Sequence, residues 1–337
     1  MQESRLSLPQ VLVTGGAGYV GSMLVPALLD QGHRVRVLDL FLFGDNVLDA
    51  VRSHPCLDVV RGDLRDSATV ERCVRGCDAV IHLACISNDP SFELDPELGR
   101  SINFDAFRPL VEAARDGGVR RFIFASSSSV YGVKQEDRVT EDLPCEPLTD
   151  YSRYKALCED VLASYQSPAF TTVVVRPATL CGYSPRLRLD LTVNILTNHA
   201  FTNGRIRVFG GTQYRPNLHL ADMVDLYRLL LQLPDDQVAG KTWNAGYENL
   251  TVEQIARRVR EVIGDERVEI TSEPTDDLRS YRICSDRIRQ DIGFQPRHSI
   301  AAATRDLVAA FQAGRIPDSM TDPRYYNIKT MQLRRLR

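Results

Sequence analysis

The run Thr14-Gly15-Gly16-Ala17-Gly18-Tyr19-Val20-Gly21 lies between a short apolar strand pattern, Val11 to Val13, and apolar residues at helical spacing, Val20, Leu24, Ala27 and Leu28. A strand that ends in glycines and opens directly into a helix gathers backbone N–H groups and the positive end of a helix dipole at one point. Such a point attracts a pyrophosphate. Gly15 permits the tight turn, Gly18 lets backbone approach the phosphates, and Gly21 lets helix and strand pack closely. Tyr19 and Val20 complete the turn that would meet the ligand. The next strand pattern, Val35 to Leu38, ends at Asp39, 21 residues beyond Gly18. A dinucleotide fold places a carboxylate on the adenosine ribose at a separation of about 20. A carboxylate there accepts from the 2′- and 3′-hydroxyls and repels a 2′-phosphate. No Arg or Lys follows before Arg52, so NAD is expected rather than NADP.

The chain has 337 residues, 43% hydrophobic and 25% charged, an ordinary globular balance with room for one large or two modest cores. A net charge of −3 supplies no basic field for nucleic acid. No secretory leader stands out, and no apolar run nears the ~20 residues needed to span a bilayer. A soluble, cytoplasmic protein with no membrane partner is expected. The eight cysteines are scattered; Cys73 and Cys77 lie four apart, but no second Cys or His pair completes a zinc pattern. Neither a metal nor a disulfide is expected.

Strand and helix patterns alternate up to about Arg176. Strands are predicted over Gln10–Thr14, Arg34–Leu40, Leu57–Arg61, Ala79–Leu83, Arg121–Ala125 and Thr171–Arg176. Runs such as Ile123-Phe124-Ala125 and Val173-Val174-Val175 lack polar alternation, which suits parallel strands covered on both faces. Helices are predicted between them, including Pro96–Gly117 and Ser152–Tyr165. Beyond Pro177 the pattern weakens to short strands (Ile206–Phe209, Thr242–Ala245, Val268–Thr271) and helices over Leu218–Gln232, Thr251–Val262 and Ile300–Gly314. The expected fold is α/β: a doubly wound parallel sheet over residues 1–176, with a smaller mixed lobe over 177–337 that holds substrate and is interwoven with the first.

Tyr151 and Lys155 stand four residues apart at the start of a predicted helix and share one face. A phenol has a reference pKa of about 10, so bringing it near 7 takes ~4 kcal/mol. One positive charge ~4 Å away contributes about that much at an effective dielectric of ~20. Lys155 and an oxidised nicotinamide ring are the available cations, and the resulting phenolate could remove a hydroxyl proton as hydride leaves the same carbon. Tyr154 adjoins Lys155 but points to another helix face. Upstream, Ser126-Ser127-Ser128-Ser129 ends a strand at the edge where a parallel sheet opens its ligand crevice. One of these hydroxyls could hydrogen-bond the alcohol being oxidised.

The combination of motifs resembles the extended short-chain dehydrogenase/reductases of the nucleotide-sugar epimerase/dehydratase group, a Rossmann-type fold. The resemblance rests on the glycine run, Gly62-Asp63-Leu64-Arg65-Asp66, His82-Leu83-Ala84, Ser127 with Val130-Tyr131-Gly132, Tyr151 with Lys155, Arg176-Pro177, Gly211 to Arg215, and His219-Leu220-Ala221-Asp222. It implies Asp63 and Leu64 at the adenine, Leu83, Ala84 and Cys85 along the middle of the cofactor, and Asn103 near it. Ser127 is implied as the active hydroxyl, Tyr151 as the base, and Lys155 as the ligand of the nicotinamide ribose. Arg215 and Arg279 are implied at the sugar-nucleotide diphosphate, with Arg186, Arg188 and Asn194 shaping the nucleotide pocket. A homodimer through helices Pro96–Gly117 and Ser152–Tyr165 is also implied.

Departures from the group's pattern narrow the activity. The 4,6-dehydratases of the group carry an acidic pair directly after the active hydroxyl; here Ser128 and Ser129 occupy those places and cannot act as carboxylates. Thr179 replaces an asparagine common at the substrate phosphate. Ile86 to Pro90 replaces a small-residue loop, which brings Ser87 and Asn88 toward the substrate. The expected activity is NAD-dependent epimerisation of a nucleotide-diphosphate sugar at C4 through a 4-keto intermediate. A ketoreductase or a dehydratase with another acid–base set is the rival enzyme, and a silent NAD-binding sensor or scaffold is the rival outside enzymes.

Overall fold

A computed structural model describes residues 9–275 and 280–334. Six strands come from the first half: β1 (Gln10–Thr14), β2 (Arg34–Asp39), β3 (Leu57–Arg61), β4 (Ala79–His82), β5 (Arg121–Ala125) and β6 (Thr171–Pro177). The second half supplies β7 (Thr179–Cys181), β8 (Arg205–Phe209), β9 (Tyr214–His219), β10 (Lys241–Ala245), β11 (Glu248–Thr251) and β12 (Glu269–Glu273). The main sheet has seven parallel strands in the order β10-β6-β5-β4-β1-β2-β3. Its outermost strand beside β6 is therefore drawn from beyond Pro177.

Alternation along each strand sends successive side chains to opposite faces, and each face has its own helical cover. Val11, Val13, Val35, Val37, Ile81, Val173 and Val175 pack against Leu24 and Leu28 of the first helix (Gly21–Asp30) and Leu226 and Leu230 of helix Leu220–Gln232. Leu12, Leu38, Val80, Phe122, Phe124 and Val174 pack on the other side against helices Ser67–Val74, Phe107–Asp116 and Asp150–Ala163. Burial on both faces explains why these strands read as unbroken apolar runs. The doubly wound Rossmann-type expectation is met.

Beyond Pro177 a three-stranded sheet β11-β9-β7 and a pair β12-β8 stand over the C-terminal end of the main sheet. Strand β9 differs from expectation: Leu218 and His219, predicted as the start of a helix, end this strand. His219 caps the following helix, its Nδ1 accepting from the Ala221 N–H at 3.1 Å. The single helix predicted over Pro96–Gly117 is also corrected. It is two α-helical pieces, Pro96–Arg100 and Phe107–Asp116, around a π-helical turn Ser101–Asp105. Two causes are visible: Pro109 lacks the N–H that a continuous helix needs, and the Asn103 amide turns inward to hold Ile86, accepting from its N–H at 2.8 Å and donating to its carbonyl at 2.9 Å.

Helix Asp150–Ala163, which carries Tyr151 and Lys155, is fixed to the sheet by a buried ion pair. Arg176 of β6 donates to both carboxylate oxygens of Glu159, with the shortest contact 2.6 Å, and each side chain is 9% exposed. Ser126 donates to the same carboxylate, and Arg176 also reaches the Tyr131 hydroxyl at 2.8 Å. Breaking such a pair leaves a buried charge uncompensated, at about 3–5 kcal/mol. Glu159→Leu is therefore expected to lower unfolding stability by that order in urea titrations. Arg176→Met in addition should recover much of the loss; a single variant no worse than a surface substitution would show that the pair does not hold the helix.

Candidate active site

The C-terminal ends of β1, β2, β4, β5 and β6 surround a cavity of ≈ 540 Å³. At its floor, Gly15 takes φ +74° and lies so close to the β4 loop that a Cβ would stand 2.7 Å from the Ala84 nitrogen. A Cβ on Gly21 would meet the Gly15 oxygen and the Gly16 Cα at 2.5 Å. The N–H groups of Tyr19 and Val20 donate to no acceptor among the described residues. This is a bare-backbone cradle at a helix N-terminus, with donors still to be satisfied, and it fits a pyrophosphate. Asp39 closes one end. Its oxygens accept from the Ala17 N–H at 2.9 Å and the Phe41 N–H at 2.7 Å. Burial lifts its carboxyl above the usual range, against the pull of those two N–H groups.

Of the residues predicted from sequence for cofactor or substrate, all but Asn103, Asn194 and Arg279 line this cavity. Asn103 is spent on Ile86 and supports the wall from behind. Asn194 is fully buried; its amide accepts from the Gly182 N–H at 3.0 Å and donates to the Tyr19 hydroxyl at 3.1 Å and the Arg188 carbonyl at 2.8 Å. Both amides thus act behind the cavity wall, Asn103 on the loop after β4 and Asn194 on the segment that carries Arg188. Arg279 lies outside the described residues.

Ser127 and Tyr151 line the cavity together, close enough for the hydroxyl to influence the phenol. Ser127 Oγ accepts from the Ser129 N–H at 3.1 Å, as cap of the short turn Ser128–Tyr131. Lys155 differs from the simple pairing expected. Its Nζ donates to the Ala125 carbonyl at 2.7 Å and stands 6.0 Å from the Tyr151 ring centroid. Burial holds the Tyr151 phenol well above its ordinary value of 10.0, and the charges of Cys85 and Asp89 push the same way; Arg188 and the Ser127 hydroxyl pull it down. The phenol therefore rests protonated in the free protein. Tyr154 turns away to stack on Phe104, with ring centroids 5.2 Å apart.

Sequence reasoning missed Asp89, Asp190 and Asn327. Asp89 lines the cavity and accepts from the Thr149 hydroxyl, which caps helix Asp150–Ala163. Asp190 takes the Arg188 guanidinium bidentately at 2.9 and 3.2 Å. A signal for it was present: in Arg186-Leu187-Arg188-Leu189-Asp190 both leucines pack into a core with Tyr19 and Leu307, while the charged residues between them face the cavity. Asn327, at the start of the last helix (Asn327–Arg334), donates to the Ser87 hydroxyl at 3.0 Å. No local pattern marks a partner 240 residues away.

The fold and the site together define a nucleotide-binding enzyme of the Rossmann class. A family profile described as "NAD dependent epimerase/dehydratase family" matches residues 11–246. The chain belongs to this family and is an NAD-dependent enzyme. It is 30% identical over 316 residues to a dTDP-glucose 4,6-dehydratase of Streptomyces griseus, covering 90% of this chain and 94% of that one. It is 28% identical over 313 residues to a UDP-glucose 4-epimerase of Lactobacillus helveticus, covering 86% and 92%. The Thermus thermophilus UDP-glucose 4-epimerase structure, a complex with NAD, superposes with a TM-score of 0.79 at 26% identity, covering 90% and 99%. Among the described residues no helix is long and apolar enough to cross a membrane, and no group of three or more His, Cys, Asp or Glu could hold a metal ion.

His82, at the end of β4, bonds Thr14 Oγ1 through Nδ1 at 2.7 Å, beneath the glycine turn. Burial, with Lys155 adding to it, lowers the imidazole from its ordinary 6.5 to about 3. Between those values the unfolded chain takes up a proton that the folded one refuses. Stability is thus full above pH 6.5 and lost as pH falls toward 3, by roughly 4–5 kcal/mol at most. Urea midpoints at pH 7, 5 and 4 are expected to fall more steeply in the wild type than in His82→Gln; equal slopes would exclude this histidine as the cause.

Proposed function

We propose that the enzyme is a nucleotide-sugar epimerase that inverts C4 of the sugar through a transient 4-keto intermediate. The observation that supports this over dehydration is the pair of hydroxyls after Ser127. Ser128 Oγ meets the Tyr281 hydroxyl at 3.3 Å, and Ser129 Oγ meets Ser127 Oγ at 2.8 Å. Expelling the C6 hydroxyl requires an acid and a base at that end of the sugar, and these serines supply neither.

When bound, NAD supplies a reversible hydride acceptor and a positive ring at the site. Tyr151 takes the proton of the 4-hydroxyl, directly or through Ser127, and returns it after the keto sugar has turned in the cleft. Until the site is assembled, burial keeps the phenol protonated, so an unproductive phenolate does not form. Lys155, now on the Ala125 carbonyl, is within reach of the nicotinamide ribose side of the cavity. Arg215 and Arg279 take the diphosphate of the substrate, a role that rests on family resemblance. The curated relatives named above act, by name, on UDP-glucose and dTDP-glucose. Pairing of two copies through helices Phe107–Asp116 and Asp150–Ala163 belongs to the same reading and is checked by light scattering.

Asp89 favours one rival. It is a carboxylate in the same cavity whose charge acts on Tyr151, and it could serve a dehydratase with a different acid–base set. Incubation with UDP-, GDP-, dTDP- and CDP-sugars is expected to interconvert C4 epimers without added reductant. Accumulation of a 4-keto-6-deoxy sugar, abolished by Asp89→Asn, would establish the dehydratase instead, and a stoichiometric demand for NADH or NADPH would establish a ketoreductase.

Tyr151→Phe is expected to keep its NAD while losing turnover by roughly 10²–10⁴-fold. Turnover within a few-fold of wild type would remove the phenol from the base role.

A further inference from the structure

Arg186 is 4% exposed and lines the cavity, yet its Nε and Nη1 meet no acceptor among the described residues. Its remaining nitrogen donates to Asn327 Oδ1, and the Phe43 ring covers one face, with its centroid 3.8 Å from Cζ. A stacked ring uses the face of a guanidinium and leaves its N–H groups directed outward in the plane. Buried donors are normally satisfied. The neighbouring arginine shows the contrast: Arg188 spends its nitrogens on Asp190 and on the Ser87 hydroxyl at 3.1 Å. Arg186 has no such carboxylate. Burial, and then the charge of Arg188, push it down to about 9, the mark of a cation whose site supplies too little negative charge.

The chain fixes this guanidinium against the glycine turn. Ser184 Oγ donates to the Tyr19 carbonyl at 2.9 Å and bonds Ser22 Oγ at 2.7 Å; the Arg186 N–H reaches Ser22 Oγ at 3.4 Å. The Tyr19 hydroxyl donates to the Gly182 carbonyl at 2.6 Å. The 182–190 loop is thereby bolted to the first turn of helix Gly21–Asp30. The charges of Asp190 and then of Asp39 act on Arg186 in the opposite sense to burial and Arg188, without a hydrogen bond to either. Arg186 thus lines the same cavity as Asp39, Tyr19 and Val20, from a segment fastened to the glycine turn.

We infer that Arg186 is a ligand of the pyrophosphate of NAD, closing on it from the second lobe and opposite the glycine-rich turn, with Nε and Nη1 as donors. Asn327 is a positioning residue: it holds the third nitrogen and ties the last helix to this contact through Ser87 and through its own N–H on Asp190 at 3.1 Å. The assignment moves Arg186 from the substrate pocket to the cofactor. It rests on the family's use of NAD and not on the epimerase reading, so a dehydratase activity would leave it standing.

The test is calorimetric binding to the full chain stripped of nucleotide, with ADP-ribose, adenosine and UDP as probes. Arg186→Gln is expected to weaken ADP-ribose roughly 10- to 100-fold, the scale of a lost charged hydrogen bond, and to leave adenosine and UDP within two-fold. The free variant is expected to melt no lower than wild type, because two unpaired buried donors are gone, while the upshift produced by NAD shrinks. Arg186→Lys and Asn327→Ala should show smaller losses of the same sign, and they carry the test if Arg186→Gln does not fold. Unchanged ADP-ribose affinity, an equal loss for adenosine, or a loss confined to UDP would overturn the assignment. A drop in melting temperature with the NAD upshift intact would do the same.

Discussion

The contact on which the rest of the structure depends is the approach of the Gly15 turn to the β4 loop, too close for any side chain at that position. It brings the end of β1 within backbone reach of Ala84 and sets the floor of the cavity. It also leaves the N–H groups of Tyr19 and Val20, at the start of the first helix, with no acceptor among the described residues. The second lobe is then built onto the same turn. Tyr19 and Ser22 are bonded to Gly182 and Ser184, so the segment bearing Arg186 and Arg188 takes its position from the residues that would hold the phosphates. A shift in the turn would move both walls together.

Helix Asp150–Ala163 obeys a second constraint. Glu159, one turn beyond Lys155, is gripped by Arg176, while Thr149 caps the helix start and is itself bonded to Asp89. Tyr151 and Lys155 lie between these two fixings and have little freedom to rotate. The same rigidity puts the phenol in a dry place, and dryness raises its pKa more than the surrounding cations lower it. Burial and activation are opposed in the free protein. In the proposed mechanism the positive charge that tips the balance comes with a bound ligand, which would couple proton removal to a filled site.

The sheet was legible because its strands are apolar on both faces, and because glycines and Asp39 sit at separations set by covalent geometry and by the size of a dinucleotide. Tyr151, Lys155 and Ser127 were legible for a similar reason: they are local patterns at strand and helix ends. What escaped is what depends on distant chain. Asn103 and Asn194 have the chemistry of ligand contacts, yet partners in the loops after β4 and β7 consume them. The break at Ser101–Asp105 follows from that inward turn of Asn103 and from Pro109, and only the proline was visible beforehand. Asp190 was readable from charges alternating with leucines. Asn327 was not, because nothing in its neighbourhood points to Ser87.

The last helix gives the cavity a third side. Met331 packs with Leu42, Ile86, Leu98 and Ile102, Arg334 reaches the Phe41 carbonyl at 3.4 Å, and Asn327 joins Ser87, Asp190 and Arg186. Phe41 itself holds φ 55°, a conformation that a bulky residue adopts only under constraint. Its N–H is committed to Asp39 and its carbonyl to Arg334, so the strained turn links Asp39 to the last helix. Three segments far apart in sequence thus meet around the Asp39 turn, and Ser127, Tyr151, Arg215 and Tyr281 line the same crevice. If, as proposed, the hydride returns within each turnover, the cofactor has no need to leave, and the ties between the last helix and the Asp39 turn can stay made. A reductase that exchanged its cofactor every cycle would have to free these contacts each time.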